Sequence, residues 1–164
     1  MSTLTFDLVV WGGTLPGVLA AKTAARNGLS AVVLEPSQHL GGMATGGLNL
    51  TDLGQAGPVT VGGLTRDFYD SGGLLYGIAK EDWLGASAWK GPALGSKHAL
   101  ALLLADANIT VITGARLAEA PIVKNGVRIT GLVTTAGTFV ARSGVYVDAS
   151  SEGSLLVPSG CMVT

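Results

Sequence analysis

Apolar and polar positions are arranged in several ways along this chain, and each arrangement predicts a different element. Phe6–Trp11 (FDLVVW) and Ser30–Glu35 (SAVVLE) are short, nearly continuous apolar runs rich in β-formers. That is the pattern of strands buried on both faces of a parallel sheet. Between them, Gly12–Gly17 (GGTLPG) is a tight turn. Val18–Arg26 (VLAAKTAAR) then reads as a helix of small residues, closed by Asn27-Gly28, a pair suited to the left-handed conformation. Strand, turn, helix and strand within about 30 residues make the minimal βαβ unit.

The periodicity breaks at Gly41–Gly47 (GGMATGG), and the chain stays glycine-rich and loop-like as far as Gly63. Leu64–Tyr69 is expected to be a short helix with Arg66 and Asp67 exposed. Gly72–Gly95, in glycine-separated pieces with two tryptophans, predicts no element. Ser96–Ala107 (SKHALALLLADA) is a helix with a leucine-rich face and Ser96 as its N-cap. Ile109–Thr113 is a strand. Three more β-runs follow, Ala118–Val123, Val127–Thr135 and Thr138–Val147, separated by Asn125-Gly126 and Ala136-Gly137. Asn-Gly between apolar runs is the strongest short hairpin signal.

These signals predict an antiparallel meander over about 117–147 whose last strand delivers Asp148 to a turn at 148–153. No internal repeat or linker divides the chain. The expected fold is α/β, a single domain over 1–164: a Rossmann-like parallel sheet with flanking helices plus a small antiparallel β-meander.

Composition narrows the function. The net charge of −1 supplies no field for nucleic acid or an anionic membrane. No run of about 18 apolar residues is present to span a bilayer. Leu8–Ala21 lacks the basic flank of a signal peptide, so a cytoplasmic protein is expected. A single cysteine, Cys161, allows neither an internal disulfide nor a cysteine-based metal site, and no residue cluster has metal-ligand spacing. Only 13% of residues are charged, against about 25% in ordinary domains. So sparse a charged surface is expected to be covered in part by a homo-oligomer or a partner chain.

The glycine turn carries the first chemistry. A dinucleotide pyrophosphate needs free N–H groups and the positive end of a helix dipole, approached without an intervening Cβ. Gly12 and Gly17 fill the first and third glycine places, with Gly13 beside them. Thr14 occupies the middle place, where its Cβ crowds a phosphate and its hydroxyl offers a donor. Glu35 ends the second strand 23 residues after Gly12. A carboxylate there suits a ribose diol and repels a 2′-phosphate, which disfavours NADP. The second glycine cluster, His39–Gly47, indicates backbone passing close to a large ligand, so the dinucleotide expected is FAD.

In the combination of these motifs, the sequence resembles the N-terminal part of the FAD-dependent oxidoreductases of the glutathione-reductase-like superfamily. The stretches that carry the likeness are DLVVWGGTLPGVLAAKTAARNG, VVLEPSQHLGGMATGGLNLTDLG, GGLTRDFYD and VYVDASSEGSLL, in the family's order. The resemblance implies that Gly12, Gly13, Thr14, Leu15, Pro16 and Gly17 lie along the pyrophosphate. It implies Glu35 and Pro36 at the adenosine ribose, and Gly41, Gly42, Met43 and Thr45 beside the phosphates towards the flavin. It further implies that Leu117 offers backbone to the adenine and that Ala149 and Ser150 lie in the turn where the chain re-enters the cofactor domain.

The sequence also departs from the pattern at Trp11, at Leu15-Pro16 and at Ser154. The family's substrate domain is expected to be largely absent from this chain. The resemblance implies hydride transfer between a substrate and the flavin; a structural or assembly subunit that keeps the FAD-binding fold is the alternative. No catalytic constellation stands out. His39, His98, Asp52, Asp67, Tyr69 and Ser150-Ser151-Glu152 have chemistry without a spacing that selects them. In flavin enzymes the cofactor carries the redox step.

Overall fold

The computed structural model describes residues 2–47, 61–77 and 93–161. Most of the loop expected up to Gly63, Asp52 within it, and most of the unassigned Gly72–Gly95 stretch lie outside the described residues. The chain divides into two compact units, residues 1–40 with 106–164, and residues 41–105.

The first unit is built on six strands: β1 (Thr3–Trp11), β2 (Ala31–Glu35), β3 (Ile109–Thr113), β4 (Leu117–Asn125), β5 (Arg128–Thr134) and β6 (Gly137–Asp148). They form one sheet in the order β3-β2-β1-β6-β5-β4. β3, β2, β1 and β6 are parallel neighbours, whereas β5 and β4 run antiparallel. The fold is thus α/β and Rossmann-like. The meander is continuous with the parallel sheet, because β6 serves both: Gly137–Phe139 pairs with β5, and Thr138–Asp148 pairs with β1.

Alternation along the strands explains why they read as unbroken apolar runs. Val10, Ala31 and Val33 turn to one face and pack with Ala21 and Ala24 of helix α1 (Leu15–Arg26). Val9, Trp11, Val32 and Leu34 turn to the other and pack with Leu132, Phe139 and Ala141 of the meander. Both faces are therefore dry, and each large apolar side chain so buried contributes about 1.5–3 kcal/mol. The small residues of α1 bring its axis close to the sheet.

At the far end of the sheet, β6 bulges opposite Asp7. One Asp7 oxygen accepts from the Ser30 N–H (2.9 Å) and hydroxyl (2.7 Å), and the other accepts from Arg142 Nη1 (2.8 Å). Three neighbouring strand segments are tied there. The hydrogen bonds from the Ser30 backbone and hydroxyl, then Arg142, hold the Asp7 carboxyl down at about 2.

The second unit contains α2 (Gly63–Leu74) and α3 (Ala93–Leu104). They pack where Gly72 meets Gly95: a Cβ on Gly95 would stand 2.8 Å from the Gly72 carbonyl oxygen. That contact accounts for a correction at α3. The helix begins before Ser96 rather than being capped by it, and Gly95 lies inside the helix as the contact point. The helix expected over Leu64–Tyr69 runs on to Leu74, with Phe68 buried.

A last short helix of the first unit, α4 (Leu156–Ser159), follows β6, and Lys124 donates to its Ser159 carbonyl. Among the described residues, no helix is long and apolar enough to cross a membrane.

Candidate dinucleotide-binding site

The strand order reverses at β1: the chain moves outward through β2 to β3, then returns on the other side as β6. Ligands of open α/β sheets sit beyond the carboxyl ends of the strands at such a switch point, and the expected residues of the first unit cluster there.

Gly12 makes the turn from β1 into α1. Its φ is 98°, and its N–H donates to the Leu34 carbonyl at 2.8 Å. A Cβ on Gly12 would stand 2.6 Å from Ser150 N and 2.7 Å from the Ala149 carbonyl carbon. Gly17 is crowded too, since its Cβ would overlap the Gly12 carbonyl oxygen and come within 3.0 Å of Ala149 Cβ. Gly12 makes room for the protein's own 149–150 backbone, and Gly17 makes room for the Gly12 carbonyl and the Ala149 side chain.

Thr14 is the N-cap of α1. Its hydroxyl donates to the Ala149 carbonyl at 2.7 Å and faces the Gly17 N–H at 3.5 Å. The hydroxyl that the sequence offers to a phosphate is therefore engaged within the protein. Leu15 and Pro16 open the helix, so its start lies earlier than the expected Val18; Leu15 is buried and Pro16 is exposed. No acidic residue stands in the first turn, which leaves the positive end of the dipole uncountered.

Glu35, half-buried at the end of β2, is bonded to this turn. Its Oε2 accepts from the Gly13 N–H at 2.8 Å, and its Oε1 accepts from the Ser37 N–H (2.9 Å) and hydroxyl (2.6 Å). Pro36 is exposed in the bend between them. Gly13 is buried beneath Leu40. The Gly114 N–H donates to the Ser37 carbonyl and the Ala115 N–H to the Glu35 carbonyl, both at 3.0 Å. The segment leading into Leu117 thus passes beside the end of β2, and Leu117 packs against the cluster that holds Trp11 and Leu34.

The re-entry turn is organised by Asp148. One oxygen accepts from the Ser150 N–H (3.0 Å) and hydroxyl (2.7 Å), and the other accepts from the Leu155 N–H (2.7 Å). The Ser150 hydroxyl accepts in turn from Ser154 N–H at 2.9 Å. The Ala149 N–H donates to the Trp11 carbonyl at 2.7 Å, seating the turn against Gly12. Gly12, Gly13, Thr14, Gly17, Glu35, Ala149 and Ser150 are therefore one bonded assembly. Trp11, the first departure, is 3% exposed, and its indole N–H has no partner among the described residues.

Gly41, Gly42, Met43 and Thr45 belong to the second unit. They form a single 3-10 turn (Gly42–Ala44) entered through Gly41 at φ 95°. Thr45 is buried and its side chain closes on Gly41, while Met43 is exposed. Of the residues with unassigned chemistry, Tyr69 has its phenol pushed up by burial. His98 is half-buried on α3 and His39 is exposed beyond the Ser37 bend. Among the described residues, no three His, Cys, Asp or Glu side chains gather as a metal site would need.

Sequence reasoning missed Ser37 and the structural task of Asp148. Ser37 carries a recognisable signal: a serine two residues past a strand-end acid suits a local hydrogen bond.

A glycine turn between the first strand and helix of a parallel sheet, bonded to an acid ending the second strand, defines a Rossmann-type nucleotide-binding protein. Residues 7–164 match the FAD dependent oxidoreductase family, and the chain belongs to it; FAD is the cofactor that this family takes. No curated protein matches the sequence.

Solved structures share the fold. L-proline dehydrogenase from P. horikoshii superposes with a TM-score of 0.65 at 12% identity, over 99% of this chain and 58% of that one. THI4 from Thermovibrio ammonificans gives 0.59 at 19% identity, over 96% and 64%. The GidA-related protein from Thermus thermophilus gives 0.52 at 19% identity, over 88% and 52%. This chain spans between about half and two thirds of the length of each.

Proposed function

We propose that this chain forms the adenylate-binding part of an FAD-dependent oxidoreductase that moves a hydride between an organic substrate and the flavin. The observation that carries the reading is the bond between Glu35 and Gly13, which joins the expected ribose acid to the expected phosphate turn. The donor set suits the group. The first turn of α1 holds no acid that would repel a pyrophosphate, and the carboxylate ending β2 suits a ribose hydroxyl.

In this reading the N-terminus of α1, with Gly12 and Thr14 shaping the turn, binds the pyrophosphate. Glu35 orients the adenosine ribose, and the Leu117 backbone meets the adenine. Ala149 and Ser150 hold the turn in shape from behind. Bound FAD supplies a two-electron acceptor for the reaction. The protein's share is to fix the adenylate end so that the ring is presented in one orientation.

Calorimetric titration tests this. FAD and ADP are expected to bind, whereas FMN, which lacks the adenylate, binds at least about tenfold more weakly. FMN binding as tightly as FAD would overturn the reading.

A further inference from the structure

The acceptor capacity of Glu35 is largely taken up before any ligand arrives. A carboxylate offers about four lone-pair positions, two on each oxygen. Oε1 already accepts twice, from the Ser37 N–H and the Ser37 hydroxyl. Oε2 accepts once, from the Gly13 N–H.

The Ser37 hydroxyl has a single proton and two acceptors within reach, Glu35 Oε1 at 2.6 Å and the His39 carbonyl at 3.1 Å. The shorter, charge-assisted bond to the carboxylate takes it. The His39 N–H, donating to Ser37 Oγ at 3.0 Å, orients the oxygen. The Gly114 N–H on the Ser37 carbonyl pins the backbone of the same residue. Ser37 therefore holds its carboxylate oxygen from a fixed position.

We propose that Ser37 is a positioning residue that leaves Glu35 one open acceptor place, on Oε2, so that the site reads one ribose hydroxyl of the adenosine rather than the pair. This rests on the adenylate reading above and deepens it. A bidentate grip on the diol needs an open place on each oxygen, and Ser37 closes the one on Oε1. The carboxylate is turned so that its free lone pair lies on the oxygen bonded to the phosphate turn, which sets the register between ribose and pyrophosphate.

The test uses the intact protein and three nucleotides: ADP, 2′-deoxy-ADP and 3′-deoxy-ADP. One deoxy analogue is expected to bind within about twofold of ADP. The other is expected to lose about tenfold or more, the scale of one hydrogen bond to a charged group. In Ser37→Ala a place on Oε1 opens, and both analogues are then expected to bind more weakly than ADP. Tight ADP binding with both analogues equally weakened in the unaltered protein would overturn this proposal alone. No ADP binding at all would overturn it together with the adenylate reading.

Discussion

The backbone N–H of Gly13 donates to the Glu35 carboxylate across 2.8 Å, and this bond joins the first glycine turn to the end of the second strand. Gly13 is buried, so without the carboxylate its N–H would stand unpaired at a cost of about 1–3 kcal/mol. Glu35→Gln keeps one oxygen acceptor but loses the charge. It is expected to lower FAD affinity by about tenfold or more and to lower stability by about 1 kcal/mol. Titration calorimetry and urea denaturation read the two effects separately.

Gly12 cannot be replaced. Any other residue would have to adopt φ 98° with its Cβ 2.6 Å from Ser150 N. The conformation alone costs about 1–3 kcal/mol, and the overlap adds to it. Gly12→Ala is expected to lower the thermal midpoint sharply and to abolish FAD binding. An unchanged melting curve would mean that the 149–150 backbone is not lodged against this turn.

Thr14 caps α1 and holds Ala149 through one hydroxyl. Thr14→Val keeps the shape and removes that group, with an expected loss of about 1–2 kcal/mol in chemical denaturation. Thr14→Ser keeps the hydroxyl and is expected to stay within about 0.5 kcal/mol of the parent.

The acid stability of the fold has a named source. Asp7 is pulled from its ordinary 3.8 to about 2 by Ser30 and Arg142. A carboxyl lowered on folding contributes stability that is fully present above its unfolded value and disappears as pH falls through the folded one. The contribution is therefore lost between about pH 4 and pH 2. Asp7→Asn is expected to flatten the stability–pH slope across that window. Some slope remains from Asp106, which the Asn108 N–H and Lys22 lower in the same direction.

The βαβ unit was legible because Phe6–Trp11 and Ser30–Glu35 are buried on both faces and the turn between them must contain glycine. The meander was legible from Asn125-Gly126. What escaped is tertiary in origin. Ser96 has the chemistry of an N-cap, but the contact of Gly95 with Gly72 carries α3 past it. The meander reads as a separate attachment, yet β6 pairs with β1 along most of its length. Such pairing between strands far apart in sequence leaves no local trace. At the site, the glycines and Glu35 stand out by residue type, whereas Asp148 and Ser37 act through bonds to backbone that become visible only once the turns are folded.

Whether this chain takes FAD through the turn at Gly12–Gly17 and Glu35 is read from the visible absorbance of the protein purified from cells, together with a thermal melt in added FAD. A flavin spectrum is expected, or a melting temperature that rises with FAD concentration, because a ligand of the native state stabilises it. A colourless protein whose melting temperature ignores FAD would contradict FAD binding at this turn.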